Sequence, residues 1–336
     1  MNKILITGAE NFLGYHIIKL LNKRNIRPRV LVSQNISEGD LDQKFGFKNL
    51  QVGEIYRGSI EDLQLLQKVC EGIDTVFHME FEISLGSGPE AEKQMHKVNV
   101  EGTRNMLKAA TKAKVKRFVF NSSALTVGLN YEPQPLDEMA DWDNFKIDLP
   151  YALSRRTAEL EALTAEEGPD RPIVVAVNPS LVMGPEDFIG APANNLLGLL
   201  GRLHGKIGLS IPGGGGILDV RDYAEGAIRA AERGRHGQRY LLCGENILPE
   251  QLIKLVATIT GFQPPSRFIQ IPSWVVFPVV TILEQFTPLS RSMLALWNRY
   301  SWYDTKLAQH DLGWEPRPLN DTITDSIRWM KEKEAN

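Results

Sequence analysis

The chain has 336 residues, of which 43% are apolar and 24% charged, and its net charge is −3. This composition excludes a disordered chain, a collagen-like repeat and a small disulfide scaffold, and ~150 residues per domain suggests about two domains. So balanced a charge offers no electrostatic footprint for nucleic acid.

Met1-Asn2-Lys3 runs into Ile4-Leu5-Ile6 and stops at Thr7-Gly8, too short an apolar run for a cleavable leader. Lys3–Thr7 is the first of five predicted buried strands; the others are Arg29–Val32, Thr75–His78, Arg117–Asn121 and Ile173–Val177. Their near-continuous Val, Ile, Leu and Phe suit parallel strands covered on both faces. Between them, apolar residues at helical spacing predict helices. The first carries Phe12, Leu13, His16, Ile17, Leu20 and Leu21, and others run over Glu61 to Cys70, Pro89 to Ala113 and Tyr151 to Glu167. This alternation predicts an α/β fold with a doubly wound parallel sheet.

After Pro179 the rhythm changes. Residues 179–212 are rich in Gly, Pro and Leu, and the glycine run from Pro212 to Gly216 reads as a loop that leads into Ile217 to Val220. Asp222 with Glu225 three residues on has the pattern of a capping box. Residues 245–336 hold further helices and a strand-like piece at Phe268–Ile271. The expected division is a sheet domain over 1–178 plus about 213–243, and a smaller C-terminal substrate lobe over 179–212 plus about 244–336.

The longest apolar stretch, Ile271 to Leu283, contains Pro272 and Pro278 and falls short of the ~20 residues a spanning helix needs. With Met293 to Trp297 it reads as a core helix pair, or else as a lid over an apolar substrate or a patch resting on a membrane. The chain is expected to be cytoplasmic. Cys70 and Cys243 have no Cys-x-x-Cys partner, as buried thiols in a reducing compartment would not. The six histidines show no metal-ligand spacing.

Two stretches carry chemistry. Thr7-Gly8-Ala9-Glu10-Asn11-Phe12-Leu13-Gly14 follows a predicted strand and opens a predicted helix. There a dinucleotide pyrophosphate meets helix N-terminal amides, and Gly14 allows tight helix–strand packing. Tyr151 and Arg155 stand four apart at a helix start and share a face. A cation there lowers the pKa of a tyrosine hydroxyl used as an acid/base. Ser122-Ser123 closes the strand before it, at the end that faces the ligand crevice of a doubly wound sheet.

Together these stretches resemble the extended short-chain dehydrogenases/reductases, the epimerase/dehydratase superfamily, on its dihydroflavonol-reductase and hydroxysteroid-dehydrogenase side. Thr7 to Gly14 is similar to the T-G-x-x-G-x-x-G loop and Val76-Phe77-His78 to the end of the fourth strand. Asn99-Val100-Glu101-Gly102-Thr103 resembles the N-V-x-G-T helix, and Phe118 to Val127 the catalytic-serine strand. Asn178 to Pro185 is similar to the segment that contacts nicotinamide, and Asp219 to Asp222 and Leu312-Gly313-Trp314 with Pro316 to later landmarks. The resemblance implies a Rossmann domain that binds NAD or NADP. Tyr151 would be the acid/base, Ser123 would orient the substrate oxygen, Arg155 would polarise Tyr151, and Asn99 would support a proton-relay water. The cofactor contacts it implies are Gly8, Asn11, Phe12, Leu13, Gly14, Ser33, Ser59, Ile60, Met79, Glu80, Ser122, Arg155, Asn178, Pro179 and Ser180. No metal is implied.

Four departures from the family pattern gather on those contacts. Arg155 replaces a lysine, keeping the charge without the ability to relay a proton. Asn11 replaces the middle glycine. Met79-Glu80-Phe81 stands where the family has small residues after His78. Ser59 stands where an aspartate touches adenine, a loss of about 1 kcal/mol. A Glu80 carboxylate about 4 Å from a phosphate would cost roughly 4 kcal/mol at an effective dielectric of 20, unless it points away or meets Arg155. Glu80 and Asn11 are therefore expected to weaken nucleotide binding. Val32-Ser33-Gln34 at the second strand's end holds neither the acid that reads a ribose hydroxyl nor the arginine that reads a 2′-phosphate, so NAD and NADP are not separable; Arg29 and Lys44 read as solvated charges.

Two functions follow. One is an NAD(P)-dependent oxidoreductase or epimerase acting on a carbonyl or alcohol of a small or apolar substrate, since no Lys/Arg cluster suits a nucleotide-sugar diphosphate. The other is a catalytically silent relative that binds a ligand or partner in the same crevice. The helix pair around 95–113 and 151–167 offers a face for a homodimer.

Overall fold

The computed structural model describes residues 3–83, 88–147, 149–165, 168, 170–191, 193–195, 197, 207–210, 212–270 and 298–335. Six strands open the chain: β1 (Ile4–Thr7), β2 (Arg29–Val32), β3 (Ile55–Arg57), β4 (Thr75–His78), β5 (Arg117–Asn121) and β6 (Ile173–Pro179). After them come β7 (Leu181–Met183), β8 (Ile207–Ser210), β9 (Gly214–Asp219), β10 (Arg239–Leu242), β11 (Glu245–Ile247), β12 (Arg267–Gln270) and β13 (Tyr300–Ser301). Seven of these form one parallel sheet in the order β10-β6-β5-β4-β1-β2-β3. In the register Thr7 lies beside His78, and His78 beside Phe120.

Side chains along each strand alternate between two cores. Ile4, Ile6, Val30, Val32, Phe77, Val119, Val175 and Val177 face the helices Phe12–Lys23 and Val220–Arg233. Leu5, Leu31, Val76, Phe118, Phe120, Val174 and Ala176 face Leu63–Cys70, Thr103–Lys112 and Pro150–Leu163. Both faces are covered, which is why the strands read as unbroken apolar runs. The strand order turns back on either side of β1, so the C-terminal ends of β1 and β4 border a crevice, the usual ligand site of such sheets.

β9 carries the second layer: it pairs with β7 and β13 in parallel and with β11 antiparallel. Met183, Ile217, Ile247, Leu252, Val256, Ile323 and Ile327 form its core. β8 and β12 make a separate parallel pair. Trp314 instead packs into the core of the main sheet, its indole N–H donating to Asp222 O at 2.8 Å.

Asp222 is not a helix cap. The helix begins at Val220, so its N-cap is Asp219, whose carboxylate accepts from Arg221 N at 2.7 Å. Asp222, in the first turn, takes the Arg317 guanidinium and backbone N–H instead. The helix expected from Pro89 to Ala113 is interrupted by a π-turn over His96–Gly102. Cys70 and Cys243 are buried free thiols. The apolar segments Ile271 to Leu283 and Met293 to Trp297 lie outside the described residues. Among the described residues no helix is long and apolar enough to cross a membrane.

Candidate active site

The loop after β1 is sterically committed to its two glycines. Gly8 has φ +63°, and a Cβ there would lie 2.7 Å from Glu80 N. A Cβ on Gly14 would lie 2.5 Å from Gly8 O, the close helix–strand approach expected of this position. Asn11 caps the helix that follows: its Oδ1 accepts from Gly14 N at 2.7 Å and its Nδ2 donates to Met79 O at 2.7 Å. The side chain that replaces a glycine thus ties the loop to the end of β4. The Phe12 and Leu13 side chains belong to the core, leaving this loop its first-turn backbone amides to offer an anion.

Beside the loop stand three carboxyls. Glu10 Oε1 accepts from Ser33 N at 2.8 Å, and its Oε2 is buried without a partner. Burial, followed by repulsion from Glu10 and Glu82, pushes the Glu80 carboxyl up to about 8. Burial also raises Glu10, but the Ser33 amide opposes it. Burial therefore favours the neutral form of Glu80, while Glu10 has a backbone amide that supports its charge. The charge repulsion expected between Glu80 and a diphosphate needs the ionised carboxyl, the form that burial disfavours. Glu80 does not meet Arg155 either, which has no hydrogen-bond partner. Ser59 holds a local turn, its Oγ accepting from Glu61 N at 3.2 Å, and Ile60 is buried against Gly102.

At the other end of the crevice, Pro150 starts a helix that sets Tyr151, Arg155 and Glu159 on one face. The Ser123 side chain stands close enough to the Tyr151 hydroxyl to pull its pKa down. Ser123 follows β5 and caps a short turn, Oγ accepting from Leu125 N at 3.3 Å. Burial raises the Tyr151 pKa, and the opposing pull of Arg155 and Ser123 does not overcome it. The expected lowering by Arg155 is present but loses to desolvation, so the phenol is protonated at neutral pH.

Arg155 is 0% exposed, and none of its three guanidinium nitrogens has a hydrogen-bond partner. It stacks on Phe120, 4.6 Å from the ring centroid, with Phe81 at 5.8 Å. Stacking recovers part of the cost of burying a cation, but a desolvated charge without hydrogen bonds remains several kcal/mol unfavourable, on the order of the penalty for any such ion. Ser122 Oγ, Asn178 Oδ1 and Ser180 Oγ are likewise buried and unpartnered. All three sit where β5 and β6 end. This concentration of unsatisfied groups fits a polar ligand such as the nicotinamide half of a dinucleotide.

Asn99, on the π-turn, makes no hydrogen bond to Tyr151's hydroxyl or to Arg155. Its amide clamps Glu82 N and O at 2.8 and 2.9 Å and donates to Ser154 Oγ at 2.9 Å. It fixes the strand-end segment that carries Glu80 and Phe81 against the Tyr151 helix. His78 is a core residue, hydrogen-bonded to Thr7 and Thr103 and pushed down to about 3 by burial.

Sequence reasoning passed over three residues. Glu159 is buried, paired with Arg239 at 3.0 Å and bonded to Thr126 and Asn178; its signal was the next i+4 step after Arg155. Tyr223 donates to Asn121 Oδ1 at 2.7 Å beneath the same site, inside the stretch read as a capping box. Glu10 left no signal, because its partner is a backbone N–H. A groove of about 380 Å³ lined by Arg104, Lys108, Lys112 and Arg171 lies at the opposite, N-terminal edge of the sheet, away from these groups.

The sequence profile of the NAD dependent epimerase/dehydratase family matches residues 4–243. A protein named putative dihydroflavonol 4-reductase from Synechocystis sp. is 29% identical over 97% of this chain and 94% of its own length. Sterol demethylase protein B of Methylococcus capsulatus is 26% identical over 98% of both chains. The crystal structure of gox2253 superposes with a TM-score of 0.82 at 29% identity, covering 99% of each chain.

Proposed function

The chain belongs to the NAD-dependent epimerase/dehydratase family, and from that premise we propose that it is an NAD(P)-dependent oxidoreductase or epimerase acting on a carbonyl or alcohol of a small or apolar substrate. The observation that carries this reading is the Tyr151 hydroxyl beside Ser123, one helical turn from the unpartnered Arg155. In the reducing direction Tyr151 gives its proton to the substrate oxygen while Ser123 holds that oxygen, and the buried Arg155 charge stabilises the tyrosinate left behind. In the oxidising direction the proton returns. A nicotinamide dinucleotide supplies or accepts the hydride when bound.

The loop amides from Asn11 to Gly14 would hold its phosphates, with Gly8 giving the backbone room. Ser33, Ser59 and Ile60 would border the adenosine, Met79 and Glu80 the middle, and Ser122, Arg155 and Asn178 to Ser180 the nicotinamide end. We assign residues 1–178 plus about 213–243 to this dinucleotide-binding unit and 179–212 plus about 244–336 to the substrate lobe. Two relatives carry dihydroflavonol and sterol in their names, which supports an apolar alcohol or ketone as substrate. The test is NADH and NADPH oxidation by the wild type with a panel of cyclic and aromatic ketones; turnover that disappears in Tyr151→Phe supports the reading.

The second reading is a silent relative that binds its ligand without turnover. It is favoured by one observation: Arg155 lies sealed beneath Phe81 and Phe120. Nucleotide binding with no turnover on any carbonyl of the panel would select it.

A further inference from the structure

We propose that Glu10 reads the adenosine ribose and makes the chain selective for NAD(H) over NADP(H), an inference that rests on the dinucleotide reading above. In doubly wound sheets the adenosine ribose lies at the C-terminal end of the second strand, where an acidic side chain accepts from its hydroxyls and excludes a 2′-phosphate. Here β2 ends at Val32, and the residues that follow, Ser33 and Gln34, are uncharged. The carboxylate at that place comes from the glycine loop of β1 instead. Glu10 Oε1 is anchored by Ser33 N at 2.8 Å, which fixes the carboxylate at the strand end.

Its other oxygen, Oε2, is buried and has no partner. One oxygen held by the backbone and one left to accept is the arrangement a ribose hydroxyl completes. A 2′-phosphate in the same place would set a dianion against that carboxylate in a partly dehydrated site, where repulsion is weakly screened.

The cations of this neighbourhood have other contacts. Arg29 bonds Glu54 and the Val69 and Glu71 carbonyls, and Lys44 pairs with Asp40. Arg57, level with Val32 across the sheet, donates its Nε to Ile36 O at 3.2 Å. It is the group that would have to turn to favour a 2′-phosphate.

The experiment is calorimetric titration of NADH and of NADPH into the full chain, for the wild type, Glu10→Gln and Glu10→Ala. Glu10→Gln keeps an acceptor for Ser33 N and removes the charge, so the fold is retained; a thermal melt checks each variant. The expected result is NADH bound at least about tenfold tighter than NADPH by the wild type, the scale on which a single polar contact discriminates. In Glu10→Gln the ratio narrows, mainly because NADPH binds more tightly. Wild type that binds NADPH equally or better overturns the assignment, and so does a ratio unchanged in both variants. Failure of the wild type to bind either nucleotide overturns the dinucleotide reading itself and this assignment with it, an outcome distinct from binding without selectivity.

Discussion

The two ends of the crevice differ in how their polar groups are satisfied. At the loop end the protein completes itself except at Glu10, whose Oε2 is buried without a partner. Asn11 caps its own helix, takes up Gly14 N and ties Met79 O, and burial pushes the Glu80 carboxyl up to about 8. At the catalytic end the opposite holds: Arg155, Ser122, Asn178 and Ser180 keep buried polar atoms with no partner. Native proteins leave few such atoms. The contrast leaves the larger share of unsatisfied polar atoms at the β5 and β6 ends.

The sharpest break of this contrast is at Tyr151. Replacement by Phe is expected to cut turnover by about 10²–10⁴-fold, the usual weight of one general acid. Urea unfolding should shift by no more than about 1 kcal/mol, the scale of one hydrogen bond. An active Tyr151→Phe enzyme would remove the tyrosine from the chemistry.

Arg155→Met comes next, and its sign is diagnostic. If the guanidinium is kept for a ligand, replacing it with an apolar chain should raise stability by about 1–3 kcal/mol while nucleotide binding falls. A protein destabilised by the change would mean that Arg155 serves the fold. Arg155→Lys should raise turnover, since an ammonium can hold a ribose hydroxyl and relay a proton.

Glu80 gives a pH signature. Its carboxyl titrates near 8 when folded against 4.5 as the ordinary value, so the native state binds more protons between those values. Stability should therefore be greatest at the acid side of that window and fall as pH rises through 8. Urea midpoints from pH 5 to 9 should slope downward less in Glu80→Gln than in the wild type; equal slopes would place the titration elsewhere.

The smallest effect is expected at Asn11. Glycine there should cost only a few tenths of a kcal/mol as a cap and tighten NADH binding several-fold by opening the loop. A weaker complex would show that the Asn11 bridge to β4 supports the ligand.

Much of the fold was legible because burial on both faces writes itself into the sequence. Arg29–Val32, Thr75–His78 and Arg117–Asn121 are strands over the residues expected. β3 escaped notice: Ile55–Arg57 is three residues at the sheet edge, half-exposed, with no period to detect. In the site, Ser123 and Tyr151 meet as their places at a strand end and a helix start implied. The state of Arg155 was not legible, because its lack of partners and its cover by Phe81 and Phe120 depend on three elements packing together. Neither was the bond from Glu10 to Ser33, which joins a loop carboxylate to a backbone N–H 23 residues away.

The most direct measurement compares NADH with ADP-ribose, which shares the phosphates and adenosine but lacks the nicotinamide, by calorimetry on the wild type and Arg155→Met. If the unsatisfied groups at the β5 and β6 ends are completed by the nicotinamide half, the wild type binds NADH at least about tenfold tighter, one such factor being ~1.4 kcal/mol, and Arg155→Met closes the gap. ADP-ribose bound as tightly as NADH, or neither bound at all, would contradict it.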